Sequence, residues 1–159
     1  MPDTYPGTLG DLLETFAFFS EPTERAQLLI SYSDQFSSVP PEIATRPFAK
    51  SHQIPQCESD AYAWAIRQPD GTLKLYFAVE NPSGISARAL AAILDKTLSG
   101  LPASEVVRVT PDIVEQIFRQ NISMGKGLGL MSMVLAVQAL ARQALGAAAP
   151  PRPPNACPD

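Results

Sequence analysis

Two side chains close together in the sequence have types that do chemistry: the thiol of Cys57 and the imidazole of His52, five positions before it. A thiolate attacks sulfur and carbon and binds metals. An unperturbed cysteine is only a few per cent ionised at neutral pH, and a neighbouring imidazole raises that share. Cys57 falls in the stretch Ile54-Pro55-Gln56-Cys57-Glu58-Ser59-Asp60. Pro55 fixes its own φ and keeps Ile54 out of helical conformation. The polar residues after it have no apolar period, so they form a turn. A thiol at that turn is open to another protein while resting against apolar surface. Two plainer readings compete. Cysteine is among the most buried residue types and is usually inert packing. A lone loop histidine is commonly solvated and idle. The residues alone leave both pairs of readings open.

The rest of the composition narrows the partners. The chain of 159 residues has a formal net charge of −4, and no Lys/Arg cluster offers a patch for phosphates. Nucleic acid is therefore not an expected partner. No run is expected to span a membrane, and the first residues lack the basic-then-apolar order of a secretory signal. Cys57 and Cys157 are far apart and neither belongs to a C-x-x-C pair, which leaves zinc and dithiol motifs without support. The expected setting is the cytoplasm, where thiols stay reduced.

Positioning the thiol requires a scaffold, and the periodicity supplies one. Leu9, Leu12, Leu13 and Phe16 make an apolar stripe on a helix over 8–19. Ser20 to Glu24, with Pro22 in the first turn, starts a second helix running to Phe36. Residues 37–53 form a proline-rich connector. Tyr62, Trp64 and Ile66 alternate with Ala61, Ala63 and Ala65, which predicts a half-buried strand. Pro69-Asp70-Gly71-Thr72 has turn chemistry, and alternation resumes from Leu73 to Val79. The result is a hairpin. A third strand around 46–51 is expected to complete the sheet.

Ser86 is placed to cap a helix whose Leu90, Ile93, Leu94 and Leu98 share a face, ended by Gly100. Thr110-Pro111-Asp112 starts another that points Ile113, Val114, Ile117 and Phe118 inward. The glycines of Ser123-Met124-Gly125-Lys126-Gly127-Leu128-Gly129 fit neither a phosphate loop nor a dinucleotide fingerprint. They are expected to form a close turn before a last helix over 130–145, with Met133, Val134, Val137, Leu140 and Ala141 on its inner face. The expected domain is 1–145. Residues 146–159, alanine- then proline-rich, are expected to be a disordered tail carrying Cys157 as an incidental thiol.

With these residues in view, the chain resembles the SufE family, the sulfur acceptors that partner cysteine desulfurases in iron–sulfur cluster assembly. The resemblance spans about Leu9 to Ala144. Its most specific part is Ile54-Pro55-Gln56-Cys57-Glu58-Ser59 through Trp64, and the element order and the run Gly129-Leu130-Met131-Ser132-Met133 agree with it. It implies an α+β fold, a small antiparallel sheet of about three strands against several helices, similar to IscU scaffolds. It implies that Cys57 takes a sulfane sulfur from a pyridoxal-phosphate-dependent desulfurase, stimulating it, and passes the sulfur to an iron–sulfur scaffold. The chain itself would hold no cofactor and would not be an enzyme; a monomer that docks transiently is expected. Supporting positions are His52, Gln56, Glu58, Ser59 and Lys126. Three departures stand out. Gln56 replaces the glycine before the cysteine, Glu80-Asn81-Pro82-Ser83-Gly84 replaces an acidic-Ser-Asp motif, and Gly125-Lys126 replaces a Ser-Arg pair. Gln56 is less free than glycine to adopt φ > 0. Lysine keeps arginine's charge without its planar fork.

Thiol chemistry then sets the expected mechanism, an in-line displacement like thiol–disulfide exchange, with Cys57 partly hidden until docking. The alternatives are an interaction or scaffold module in which Cys57 only packs, and a Cys57/His52 nucleophile enzyme, for which the sequence identifies no orienting group or oxyanion site.

Overall fold

Four-residue periodicity at the N-terminal end and two-residue periodicity in the middle of the chain are both realised. The computed structural model describes residues 5, 7–57 and 59–148. Among the described residues, six α-helices and two strands follow the order α1 (Gly7–Phe18), α2 (Pro22–Asp34), β1 (Ala61–Arg67), β2 (Leu73–Val79), α3 (Ile85–Leu98), α4 (Ala103–Val106), α5 (Asp112–Phe118) and α6 (Met124–Ala148). This is an α+β fold. Helix α6 lies against β1, α3 lies against β2 and α2, and α1 packs on α5.

The sheet has two antiparallel strands in the register Ala61↔Val79 to Arg67↔Leu73, rather than about three. The segment proposed as the third turns through a 3₁₀ stretch at Lys50–His52. It sets Phe48 on the face of the sheet, against Tyr62 and Trp64. Only Gln53 pairs with β1, opposite Tyr62. Both faces of β1 are therefore covered. The alanine face joins the main core with Leu9, Phe16, Leu90 and Ile93, while Trp64 joins Val39 and Ala78 in a second cluster.

Helix starts differ from the expected caps. Neither α2 nor α3 has a side-chain cap: Glu21 and Gly84 occupy the N-cap positions, so Ser20 lies outside the first turn and Ser86 inside it. Helix α6 begins six residues earlier than the sequence suggested, so the glycine stretch is helical. Ser123 caps it, accepting from the Lys126 N–H at 3.3 Å, and the Gly127 N–H donates to the Ser123 carbonyl at 2.9 Å. A capping hydroxyl and close packing outweigh the poor helix propensity of three glycines. The lengthened run corrects a second expectation: Met124–Gly146 is by length and composition apolar enough to cross a membrane. In the fold, Leu130, Met133, Val134, Val137 and Ala141 of this helix are core. Helix α6 is described through Ala148; residues 149–159 of the expected tail, with Cys157, lie outside the described residues.

Candidate functional site

Cys57 sits in a loop that the backbone closes at both ends. The Ile54 N–H donates to the Ala61 carbonyl at 2.8 Å, and the Asn81 N–H donates to the Ser59 carbonyl at 3.1 Å. Buried Ile54 pins the loop to the core. Gln56 and Asp60 both adopt left-handed backbone, at φ 61° and 52°. Gln56 thus takes a conformation that glycine adopts freely and other residues do not.

Two glycines let helices close on this loop. A Cβ on Gly129 of α6 would stand 2.8 Å from the Gln56 carbonyl oxygen and 3.2 Å from the Cys57 Cα. A Cβ on Gly84, just ahead of α3, would stand 2.7 Å from the Ser59 Oγ. Ser132, one turn along α6 from Gly129, donates to the Gln56 Oε1 at 3.4 Å. Gly129 of α6 is thus a contact position rather than a turn position.

Between the helices lies a cavity of about 230 Å³ with half-buried Cys57 in its wall. The first turns of α3 and α6 both reach it, through Ser86 and Ala87 on one side and Gly125 and Lys126 on the other. First-turn N–H groups lack intrahelical acceptors, and helix N-termini carry partial positive charge. With the Lys126 ammonium beside them, this end of the molecule favours a negative charge at the cavity. On its other side Cys57 borders an open recess of about 520 Å³ that includes Lys50, Gln53 and Pro55. The thiol therefore sits on a ridge between a sheltered hollow and an exposed one.

Of the residues singled out from the sequence, Gln56, Cys57, Ser59 and Lys126 come together at the cavity. Glu58 lies outside the described residues. His52 borders neither hollow. Its Nδ1–H donates to the Ala63 carbonyl at 2.9 Å and its ring stacks on Trp64, centroids 5.2 Å apart. Its place is in the aromatic cluster on the sheet. Sequence reasoning missed Asn81, Ser83 and the glycines 84 and 129 as parts of the site. The signal available for α6 was Ser123, a capping residue ahead of the glycines. Glu80 lies apart in a two-pronged pair with Arg46, whose Nη2 is 2.8 Å from Oε2. Among the described residues, no three His, Cys, Asp or Glu side chains converge as metal ligands.

The family model of SufE, the Fe-S metabolism associated domain, matches residues 10–141. The chain belongs to the SufE family. It is similar to the SufE-like protein 1, chloroplastic/mitochondrial, of Arabidopsis thaliana, 26% identical over 134 residues covering 84% of this chain. The chain spans about a third of that relative's length, 34%. The fold is also that of a hypothetical protein from Thermus thermophilus solved in solution, with a TM-score of 0.70, 24% identity, and coverage of 89% of this chain and 98% of the other. As a SufE-family domain, the molecule is associated with Fe–S metabolism.

Proposed function

We propose that this SufE-family chain is a sulfur acceptor in iron–sulfur cluster assembly, with Cys57 as the covalent carrier. The observation that carries the reading is the position of Cys57: a half-buried thiol on a glycine-clamped loop, beside a cavity at which two helix N-termini and Lys126 meet. The donor is the persulfide of a pyridoxal-phosphate-dependent cysteine desulfurase. Cys57 gives up its proton to solvent, and its thiolate attacks the terminal sulfur of that persulfide. A new S–S bond forms on Cys57 Sγ as the donor's S–S bond breaks, and the donor cysteine leaves as a thiolate. The sulfane sulfur changes owner with no net oxidation. Helix N-termini and the lysine suit the anionic persulfide. The sulfur is then passed to an iron–sulfur scaffold by the same displacement in reverse.

On this reading the chain is an accessory protein rather than an enzyme, a monomer that docks transiently with the desulfurase in a thiol-reducing compartment. His52, held by Ala63 and Trp64, gives no support to a Cys/His nucleophile enzyme. Intact-mass analysis after incubation with a cysteine desulfurase and cysteine tests the proposal. The chain should gain one or more sulfur masses, mapped to Cys57, and Cys57→Ser should gain none while keeping its circular dichroism. Equal labelling of the serine variant, or no labelling of the unaltered chain, overturns it.

A further inference from the structure

A second recess, of about 540 Å³, lies away from Cys57, between the outer edge of β2, the segment 35–40 and α3. Along that edge Leu73 exchanges both backbone bonds with Gly100 and Leu101, at 2.8 and 2.9 Å. The Leu75 N–H donates to the Ser99 Oγ at 3.0 Å, and the Phe77 carbonyl accepts from the Val39 N–H at 2.8 Å. The strand's two-residue alternation aims the Leu75 carbonyl and the Phe77 N–H at the same edge. No described residue meets either of them. Leu75 and Phe77 are only 1% and 2% exposed, and buried backbone groups seldom go without partners.

One carbonyl followed two residues later by one N–H is the pair that a single residue of a parallel strand uses: its N–H meets the first and its carbonyl the second. The geometry points to this recess as a docking slot for an extended peptide segment of a partner protein, bonded in parallel register beside Tyr76. The mode is β-strand addition to a sheet edge. Charge and shape then fix the sequence. A strand parallel to β2 enters at the Lys74 end. Residues flanking the bonded one face α3 by alternation. The preceding one faces Lys96, an exposed ammonium beside the neutral Gln35 Oε1 at 3.3 Å and the Tyr32 ring at 5.9 Å. Lys74 is already paired with Asp95 at 2.6 Å, so the recess keeps one uncompensated positive charge. The following residue faces Ala91 and Ala92 and must be small. The slot therefore takes acidic–X–small in extended form.

Titrating the ¹⁵N-labelled full chain with acetyl-Val-Glu-Val-Ala-Val-amide, followed by NMR, tests this slot independently of sulfur transfer. The Phe77 amide resonance should move saturably. The same peptide N-methylated at its central valine should fail to move it, because it cannot donate to the Leu75 carbonyl. Replacing the peptide's glutamate by lysine should weaken binding at least fivefold, and Lys96→Glu should reverse that preference. A Phe77 amide indifferent to the peptide, or responding equally to the N-methylated form or to free glutamate, overturns the proposal and leaves water or a small anion as the occupant.

Discussion

Gln56 concentrates the conflict between sequence and loop. A side chain in left-handed backbone costs roughly 1–2 kcal/mol, and Gln56 has φ 61°. Gln56→Gly removes that cost but gives back roughly 0.4–1 kcal/mol of unfolded-chain entropy. The expected net effect is a stabilisation of about 0.5 kcal/mol, read as a higher urea midpoint. Gln56→Ile, whose branched side chain tolerates this conformation worst, should instead destabilise by at least about 1 kcal/mol. If both variants shift the midpoint the same way, the strain assigned to Gln56 is wrong. Gly129 shows the opposite economy. Alanine is the better helix former by about 1 kcal/mol, yet its Cβ would press on the Gln56 carbonyl and the Cys57 Cα. Gly129→Ala should keep its helical circular dichroism, alkylate faster at Cys57 and lose most sulfur acceptance. Unchanged alkylation and transfer would mean that α6 does not set the thiol's position.

Elements are joined by a residue that the apolar pattern of α2 gave no reason to notice. Arg25 is 1% exposed. Its Nη1 donates to the Gln116 and Ile117 carbonyls at 3.1 and 2.7 Å, and its Nη2 donates to the Phe19 carbonyl at 2.7 Å and to that of Phe16. These carbonyls belong to the C-terminal ends of α1 and α5, or directly follow them, where helices carry partial negative charge. One cation thus satisfies orphan acceptors of two helices. Arg25→Met leaves those carbonyls buried and unpaired, and should cost about 3 kcal/mol or more in chemical denaturation. Arg25→Lys, which keeps the charge without the fork, should recover only a minor part. A cost below about 1 kcal/mol for the methionine variant would show that water replaces the guanidinium. The hairpin and the inner faces of α1, α3 and α5 were legible because apolar side chains repeat at the right interval. Arg25, Gly84 and Gly129 were not, because their partners are backbone atoms of segments distant in the sequence.

At the scale of the whole molecule, the sequence located the thiol's loop but not the cavity, which exists only because α3 and α6 bring their N-termini to the same place. Helix α6 was underestimated for a related reason: its glycines suggested a turn until the loop they pack against was in view. Tyr5, ahead of α1, is held in a similar long-range way. Tyr5 bonds through its hydroxyl to the Thr110 Oγ1 at 2.8 Å and donates to the Asp112 Oδ1 at 2.9 Å, 107 positions away. Burial, with the Asp112 charge adding to it against an opposing bond from Thr110, holds its phenol above the ordinary value near 10. Burial does the same to Tyr32. A raised pKa means that the fold prefers the neutral phenol, so this stabilisation is complete below pH 10 and is lost as pH rises through the folded-state value. Tyr5→Phe should therefore be less stable than the unaltered chain at pH 8, with the gap closing as pH is raised beyond 10. Urea midpoints of both chains between pH 8 and 11 measure that gap directly, with the titration of lysines common to both. A gap that stays constant across the range would mean that Tyr5 ionises as readily in the fold as in the unfolded chain, and that its bonds to Thr110 and Asp112 do not tie it to the start of α5.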